Sequence, residues 1–274
     1  MTFTPAIPMG GYAGWLVLNR TIEKQEAAFT QTASYQRDDD YFRSKIGSIT
    51  SAEELVADRR LLSVALGAFG LDDDINSKAF IQKVLTEGTQ ATDSLANRLS
   101  DKNYYKLSEA FGFGDYDKPL SAAEGFADKI LEKYKNRQFE TAVGNVNESF
   151  RYALNAQREL PEIAAKSSST NTKWYQIIGS EPLAAFMRTA LGLPESVSSL
   201  DVDRQVQIFK DKATSQFGSS DLATLIAGDG MNNLIKSYLV RAQLTEGVTT
   251  AGQSVALQIL QGSGSSTNLL SLLL

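Results

Sequence analysis

Cysteine and histidine are both absent from this 274-residue chain. Without cysteine there is no disulfide framework, thiol nucleophile or thiolate metal site. Without histidine the commonest general base and the commonest metal ligand are missing. Catalysis would have to rest on Asp, Glu, Lys, Tyr or Ser, which leaves few constellations to look for. Positive charge is also short. The net charge is −5 and no long Lys/Arg block occurs, which argues against nucleic acid or an anionic membrane surface as the main partner. No stretch approaches the ~18–20 apolar residues that span a bilayer. The first charged residue is Arg20, so the N-terminus lacks the basic start of a Sec signal.

What is present is a hydrophobic content of 42%, enough to bury a core. Strand signals are weak and helix signals frequent. Ser51-Ala-Glu-Glu54 has capping-box spacing, and Leu55, Leu61, Leu62, Ala65, Leu66 and Phe69 follow on one stripe. Gly70 then stands where a helix end calls for positive φ. Ser121-Ala-Ala-Glu124 repeats the capping spacing and opens the longest helical reading, through Phe126, Ile130, Tyr134, Val143, Val146, Phe150 and Ala153. Taken as one helix of roughly 35 residues, it would be ~50 Å long.

A phrase recurs. Ile46-Gly47-Ser48 is matched by Ile178-Gly179-Ser180, and Leu61, Val64, Ala68, Gly70 and Leu71 by Leu183, Phe186, Ala190, Gly192 and Leu193. Phe42 corresponds to Trp174. Leu95, Ala96, Leu107 and Phe111 correspond to Leu222, Ala223, Leu234 and Tyr238. Glycine positions are set by backbone conformation, so their recurrence in order points to duplication. The expected architecture is an all-α, elongated bundle of two duplicated helical units joined by a long central helix. Its parts are an uncharged segment 1–20, repeat one at 21–120, the connecting helix at 121–160, repeat two at 145–246, and a tail at 247–274.

Candidate sites are few. Asp72, Asp74 and Asn76 have the spacing that opens a calcium loop, but the sixth position is Ser77 and the twelfth is Lys83, so an acidic turn is expected and no metal. The GDGMNN stretch at 228–233 reads as a turn, without the Lys-Ser/Thr ending of a phosphate loop. Arg59 and Arg60 are expected to pair with carboxylates such as Asp58 or those of the Glu53-Glu54 region. Asp38–Asp40 read as a solvated corner facing Arg37 or Arg43. Phe111 and Phe113 read as a loop anchor, and Trp15 and Trp174 as core or interface anchors. No catalytic residue or cofactor is expected.

The chain has no charge before Arg20 and none after Glu246. Leu269, Leu270, Leu272, Leu273 and Leu274 close the tail behind a Gly/Ser-rich stretch. Together with Trp15 they are the expected protein-binding residues, because burying such leucines against a partner is favourable.

The tail "TTAGQSVALQILQGSGSSTNLLSLLL" resembles the C-terminal tail of bacterial flagellins. The phrases "GGYAGWLVLNRT", "DRRLLSVALGAFGL", "SLANRLSD", "LSEAFGFGD" and "WYQIIGSEPLAAFMRTALGLP" resemble an uncharacterised all-helical bacterial family whose genes often lie among flagellar genes. These resemblances imply a non-enzymatic structural or assembly protein of the flagellum. It would be cytoplasmic or flagellum-associated, bind flagellar components or an export chaperone, and be open to type III export. A cytoplasmic helical adaptor or chaperone-like module is the alternative, and an enzyme using carboxylates in a helical cleft is the third.

Overall fold

A computed structural model describes residues 3–245. Among the described residues every regular element is helical. The α-helices are α1 (Gly11–Thr30), α2 (Ala33–Lys45), α3 (Ala52–Ala57), α4 (Arg59–Phe69), α5 (Lys78–Glu87), α6 (Leu95–Arg98), α7 (Asn103–Phe111), α8 (Phe126–Gly144), α9 (Glu148–Ala164), α10 (Thr170–Ile178), α11 (Glu181–Leu191), α12 (Val202–Phe217) and α13 (Leu222–Ile226). A last helix, α14, covers 230–245.

Local chemistry explains most helix ends. Ser51 caps α3 by accepting from the Glu54 N–H at 3.2 Å, and the Glu54 carboxylate reaches back to the Thr50 N–H at 2.6 Å. The stripe expected to run on from Leu55 is cut at Asp58. That residue leaves helical geometry, and its carboxylate accepts from the Arg60 and Leu61 N–H groups, starting α4.

The long central helix is not continuous. α8 ends at Gly144, and Asn147 adopts extended geometry with its side chain accepting from the Phe150 N–H at 3.0 Å. Glycine and asparagine are poor helix formers, and asparagine is a strong N-cap, so the cap wins over propagation. α9 can then pack back on α8. Nor does Ser121 cap α8. It is buried in a 3-10 turn (Leu120–Ala122) and donates to the Ile49 carbonyl at 2.6 Å; α8 starts after Gly125, at φ +73°.

Packing makes two cores. One gathers Phe42, Leu55, Leu61, Leu62, Leu66, Leu107 and Phe111 with Ile130, Leu131 and Tyr134 of α8. The other gathers Trp15 and Leu18 of α1, Phe139 and Val143 of α8, and residues from Phe150 to Leu239. α8 thus serves both cores along its length. α1 joins the core built mainly from the C-terminal half.

The repeated phrases adopt like conformations locally. α4 and α11 each close on a left-handed glycine, Gly70 at φ +71° and Gly192 at φ +65°. In each the following leucine N–H reaches back five residues: Leu71 to the Leu66 carbonyl at 3.0 Å, Leu193 to the Arg188 carbonyl at 2.9 Å. A guanidinium packs on each glycine, that of Arg137 on Gly70 and that of Arg241 on Gly192. In sequence, Ile130-Leu131, Tyr134 and Arg137 of α8 have the same spacing as Leu234-Ile235, Tyr238 and Arg241 of α14. The likeness stays local, and duplication of the whole unit is not established.

Candidate functional site

The junction of the two cores carries a cluster of charged side chains. Arg137 of α8 donates to Glu159 of α9 at 2.7 Å. Arg158 grips Glu140 through two bonds of 2.6 and 3.0 Å and also reaches Glu159 at 3.2 Å. Lys106 of α7 lies 3.8 Å from Glu159, and Asn155 donates to it at 3.2 Å. The Glu159 side chain is only 6% exposed. Burial alone would raise its pKa, but Arg137, Lys106 and Arg158 outweigh that and hold the carboxyl below its ordinary value. Burial lowers the Lys106 and Arg137 pKa values. Asn155 Oδ1 is buried without a partner. A carboxylate neutralised by several cations is not poised to move protons near neutral pH. The arrangement holds α7, α8 and α9 in register.

Beside it, a groove of about 180 Å³ is lined by Ile22, Glu26, Phe139, Glu140, Gln157 and Arg158. A second, of about 420 Å³, is lined by Thr30, Tyr35, Gln36, Asp39 and Asp40. The latter contains two of the acidic-corner residues, and Asp39 pairs with Arg43 at 2.6 Å.

The other sequence candidates have structural partners. Asp74 accepts from Tyr104 and Asp72 from Gln138, and Asn76 accepts from Arg59, within a 3-10 turn (Asp72–Asn76). Among the described residues no group of acids could hold a metal. Arg60 pairs with a carboxylate as expected, that of Asp38 at 3.1 Å, and stacks on Tyr41. Burial would raise the pKa of Asp58, the cap of α4, and the Arg60 charge helps hold it below its ordinary value. Residues 227–229 form a turn before α14. Phe111 is fully buried with the Phe113 ring 5.5 Å away, anchoring the loop. Trp174 is buried and its indole N–H donates to the Ser220 carbonyl at 2.8 Å.

Trp15 is corrected from an expected partner contact to a core residue. It is 3% exposed and lies edge-on to Phe150 at 5.9 Å. Leu269, Leu270, Leu272, Leu273 and Leu274 lie outside the described residues.

What sequence reasoning missed lies around Trp15. The outer face of α1 carries Leu16 and Val17, both exposed. α14 packs beside the first turn of α1: a Cβ at Gly11 would collide with the Gln243 side chain, and Lys236 Nζ lies 5.7 Å from the Tyr12 ring centre. Leu16 is one turn beyond Tyr12, and Val240 and Leu244 are one and two turns beyond Lys236. Both α14 residues are exposed, Leu244 at 64%. Exposed Met9 precedes α1, and a Cβ at neighbouring Gly10 would lie 3.6 Å from Asn147, next to exposed Val146. Uninterrupted lack of charge before Arg20 was the available signal. It could not separate inward from outward residues.

The described residues define an all-helical fold. The chain belongs to the family described as a protein of unknown function, DUF1217, whose model matches residues 68–226. It is similar to protein AGR_C_984 from Agrobacterium tumefaciens, known from an X-ray crystal structure, with a TM-score of 0.72 and 26% identity over 89% of this chain and 99% of that one. No curated protein matches the chain. Among the described residues no helix is long and apolar enough to cross a membrane.

Proposed function

We propose that this chain is a non-enzymatic structural or assembly protein of the bacterial flagellum, associating through its uncharged ends and open to type III export. The observation that carries the interaction role is the set of exposed large apolar side chains on α1 and α14, Leu16, Val17, Val240 and Leu244. Large apolar side chains left in water are a ready source of binding energy. The resemblance of the tail to flagellin tails and of the body to a family encoded near flagellar genes supports the flagellar setting. The carboxylate-cation cluster, with its depressed Glu159, supports a scaffold more than a reaction centre.

A second reading is a cytoplasmic adaptor or chaperone-like module, favoured by the same side chains standing on a well-packed helical body. Location separates the two. Flagella sheared from motile cells should contain the chain on the first reading. A pool confined to the cytoplasm, with a partner retained by affinity isolation, would replace it with the second.

A further inference from the structure

Residues 3–8, Phe-Thr-Pro-Ala-Ile-Pro, form no helix and lie back along α1, with Phe3 against Phe29 and Ala6 against Gln25. Their burial alternates, as in an extended chain: Phe3, Pro5 and Ile7 face the body, and Thr4, Ala6 and Pro8 are exposed. We propose that the groove beneath them is a binding site for an extended apolar peptide, and that two copies of this chain join by each laying its residues 3–8 in the other's groove. The exchange goes beyond the flagellar reading and does not depend on it.

The groove is built to hold a main chain. The Gln25 carboxamide accepts from the Ala6 N–H at 2.8 Å and donates to the Ala6 carbonyl at 3.2 Å. Gln25 is 9% exposed, and Thr21 aims its amide: the Thr21 hydroxyl accepts from Gln25 Nε2 at 2.8 Å and donates to the Val17 carbonyl at 2.9 Å. An amide held there without a peptide would lose the donor to its oxygen, which is costly for a buried group. The Ala6 side chain takes no part, so the clamp reads a peptide unit whatever residue carries it. Selection falls to the alternate anchors. The Phe3 ring lies 5.4 Å from that of Phe29 and 6.0 Å from that of Phe139, and Ile7 packs on the same core. Extended peptides are held in this way elsewhere, main-chain bonds giving affinity and pockets for alternate side chains giving specificity. Phe139 also lines the open groove of about 180 Å³, so the site continues past Phe3.

The occupant follows from the same contacts. Residues 3–8 fit the groove, every copy carries them, and each contact made within one chain is available unchanged between two. No charge in 1–19 opposes the approach. Pro5 and Pro8 fix φ at about −65°, and Thr4 and Ile7, each before a proline, are kept from helical geometry. The arm therefore keeps its bound shape when it lifts, and rebinding orders little that was free. Gly10 and Gly11 supply the hinge. Gly11 stands at φ +67° where the arm turns into α1, and no side chain caps that helix. At negative φ the arm would point away from its own groove. The short connection holds the arm at an effective concentration on the order of mM, so a dilute chain keeps its own arm and crowded copies exchange.

The test uses the full chain. Gly11→Pro forbids the positive φ while placing a residue favoured at the first position of a helix. Light scattering should show a dimer whose fraction is several times that of wild type at equal concentration and rises with concentration. Excess synthetic peptide of residues 3–10 should return it to monomer. The same peptide with serine at positions 3, 5 and 7 should not, and Q25L added to G11P should abolish the dimer. A G11P chain that stays monomeric with an intact circular dichroism melt overturns the proposal, as does a dimer indifferent to the peptide or to Q25L. A second variant, F3S/P5S/I7S, empties the groove and leaves the hinge native. In fluorescence anisotropy it should bind the labelled 3–10 peptide about tenfold or more tightly than wild type, whose own arm competes. Equal affinity, or no saturable binding by the folded variant, overturns the proposal. Neither readout depends on where the protein resides in the cell, so the flagellar reading is tested separately.

Discussion

Replacing Glu159 with glutamine tests whether the charged cluster holds the two cores together. The substitution keeps the shape of the side chain and removes its charge. Arg137, Arg158 and Lys106 approach that carboxylate at 2.7, 3.2 and 3.8 Å; Arg158 would keep its contact with Glu140, while Arg137 and Lys106 would lose their carboxylate partner. Arginine stays protonated at any working pH, so the excess charge cannot be relieved by proton loss. Removing one partner of a buried pair costs about 3–5 kcal/mol. The Lys106 side chain is 38% exposed and adds little through solvent, which places the expected loss near the lower end. At roughly 2–4 °C per kcal/mol for a chain of this size, melting should fall by about 6–12 °C. Urea unfolding followed by circular dichroism gives the free energy without the screening that guanidinium brings. A loss below about 1 kcal/mol would refute the reasoning. The double variant E159M/R137M removes both charges together and should recover most of the stability. The pH dependence has a definite sign. Because the folded Glu159 pKa is depressed, its contribution is present above the unfolded carboxyl pKa and is lost as pH falls through the folded value. The gap between wild type and E159Q should therefore close in acid.

Gly192→Ala forces a side chain into φ +65° and into the Arg241 guanidinium, and should cost about 1–2 kcal/mol or more in urea melts; Gly179→Ala, at φ −73°, should cost much less. Asp58→Ala removes the cap shared by the Arg60 and Leu61 N–H groups and should lose about 1 kcal/mol in the same assay. Calorimetric titration with calcium should give no micromolar binding at Asp72–Asn76, whose side chains are engaged with Tyr104, Gln138 and Arg59. Deleting Asn268–Leu274 should leave the melting curve nearly unchanged and abolish retention of flagellar or chaperone partners in pull-downs. A large fall in melting temperature would instead make those leucines part of the core.

The features legible in the sequence are those decided within one helical turn. Gly70 and Gly192 announce their helix ends because the left-handed conformation admits glycine at little cost. Ser51 and Glu54 announce a cap because both partners lie within three residues. Helix continuity through 121–160 was misread because apolar spacing persists across Asn145–Asn147, while one side chain hydrogen bond decides the break. The charged cluster was not legible at all. Lys106, Arg137, Glu140, Arg158 and Glu159 are separated by up to 53 residues along the chain, and each stands beside polar neighbours that read as surface. Their meeting depends on α9 packing back on α8, which the uninterrupted-helix reading does not allow.

The uncharged N-terminus has two physical causes that the sequence merges. One is burial. Phe3 packs edge-on to Phe29 at 5.4 Å, Ala6 exchanges hydrogen bonds with Gln25 at 2.8 and 3.2 Å, and Trp15 and Leu18 enter the core built mainly from the C-terminal half. A charge at these positions would lose its hydration without gaining a partner, so their apolar character follows from folding alone. Burial does not account for Met9, Leu16 and Val17, which face solvent among the described residues. A soluble helix would carry polar residues on that face, as α1 itself does from Arg20 and Lys24 onward. The switch from apolar to basic along one outer face occurs within about one turn, beyond the point where α14 lies alongside. Met9, Leu16 and Val17 are thus the part of the uncharged segment that burial leaves without a structural cause, while Trp15, its largest side chain, holds α1 against the core.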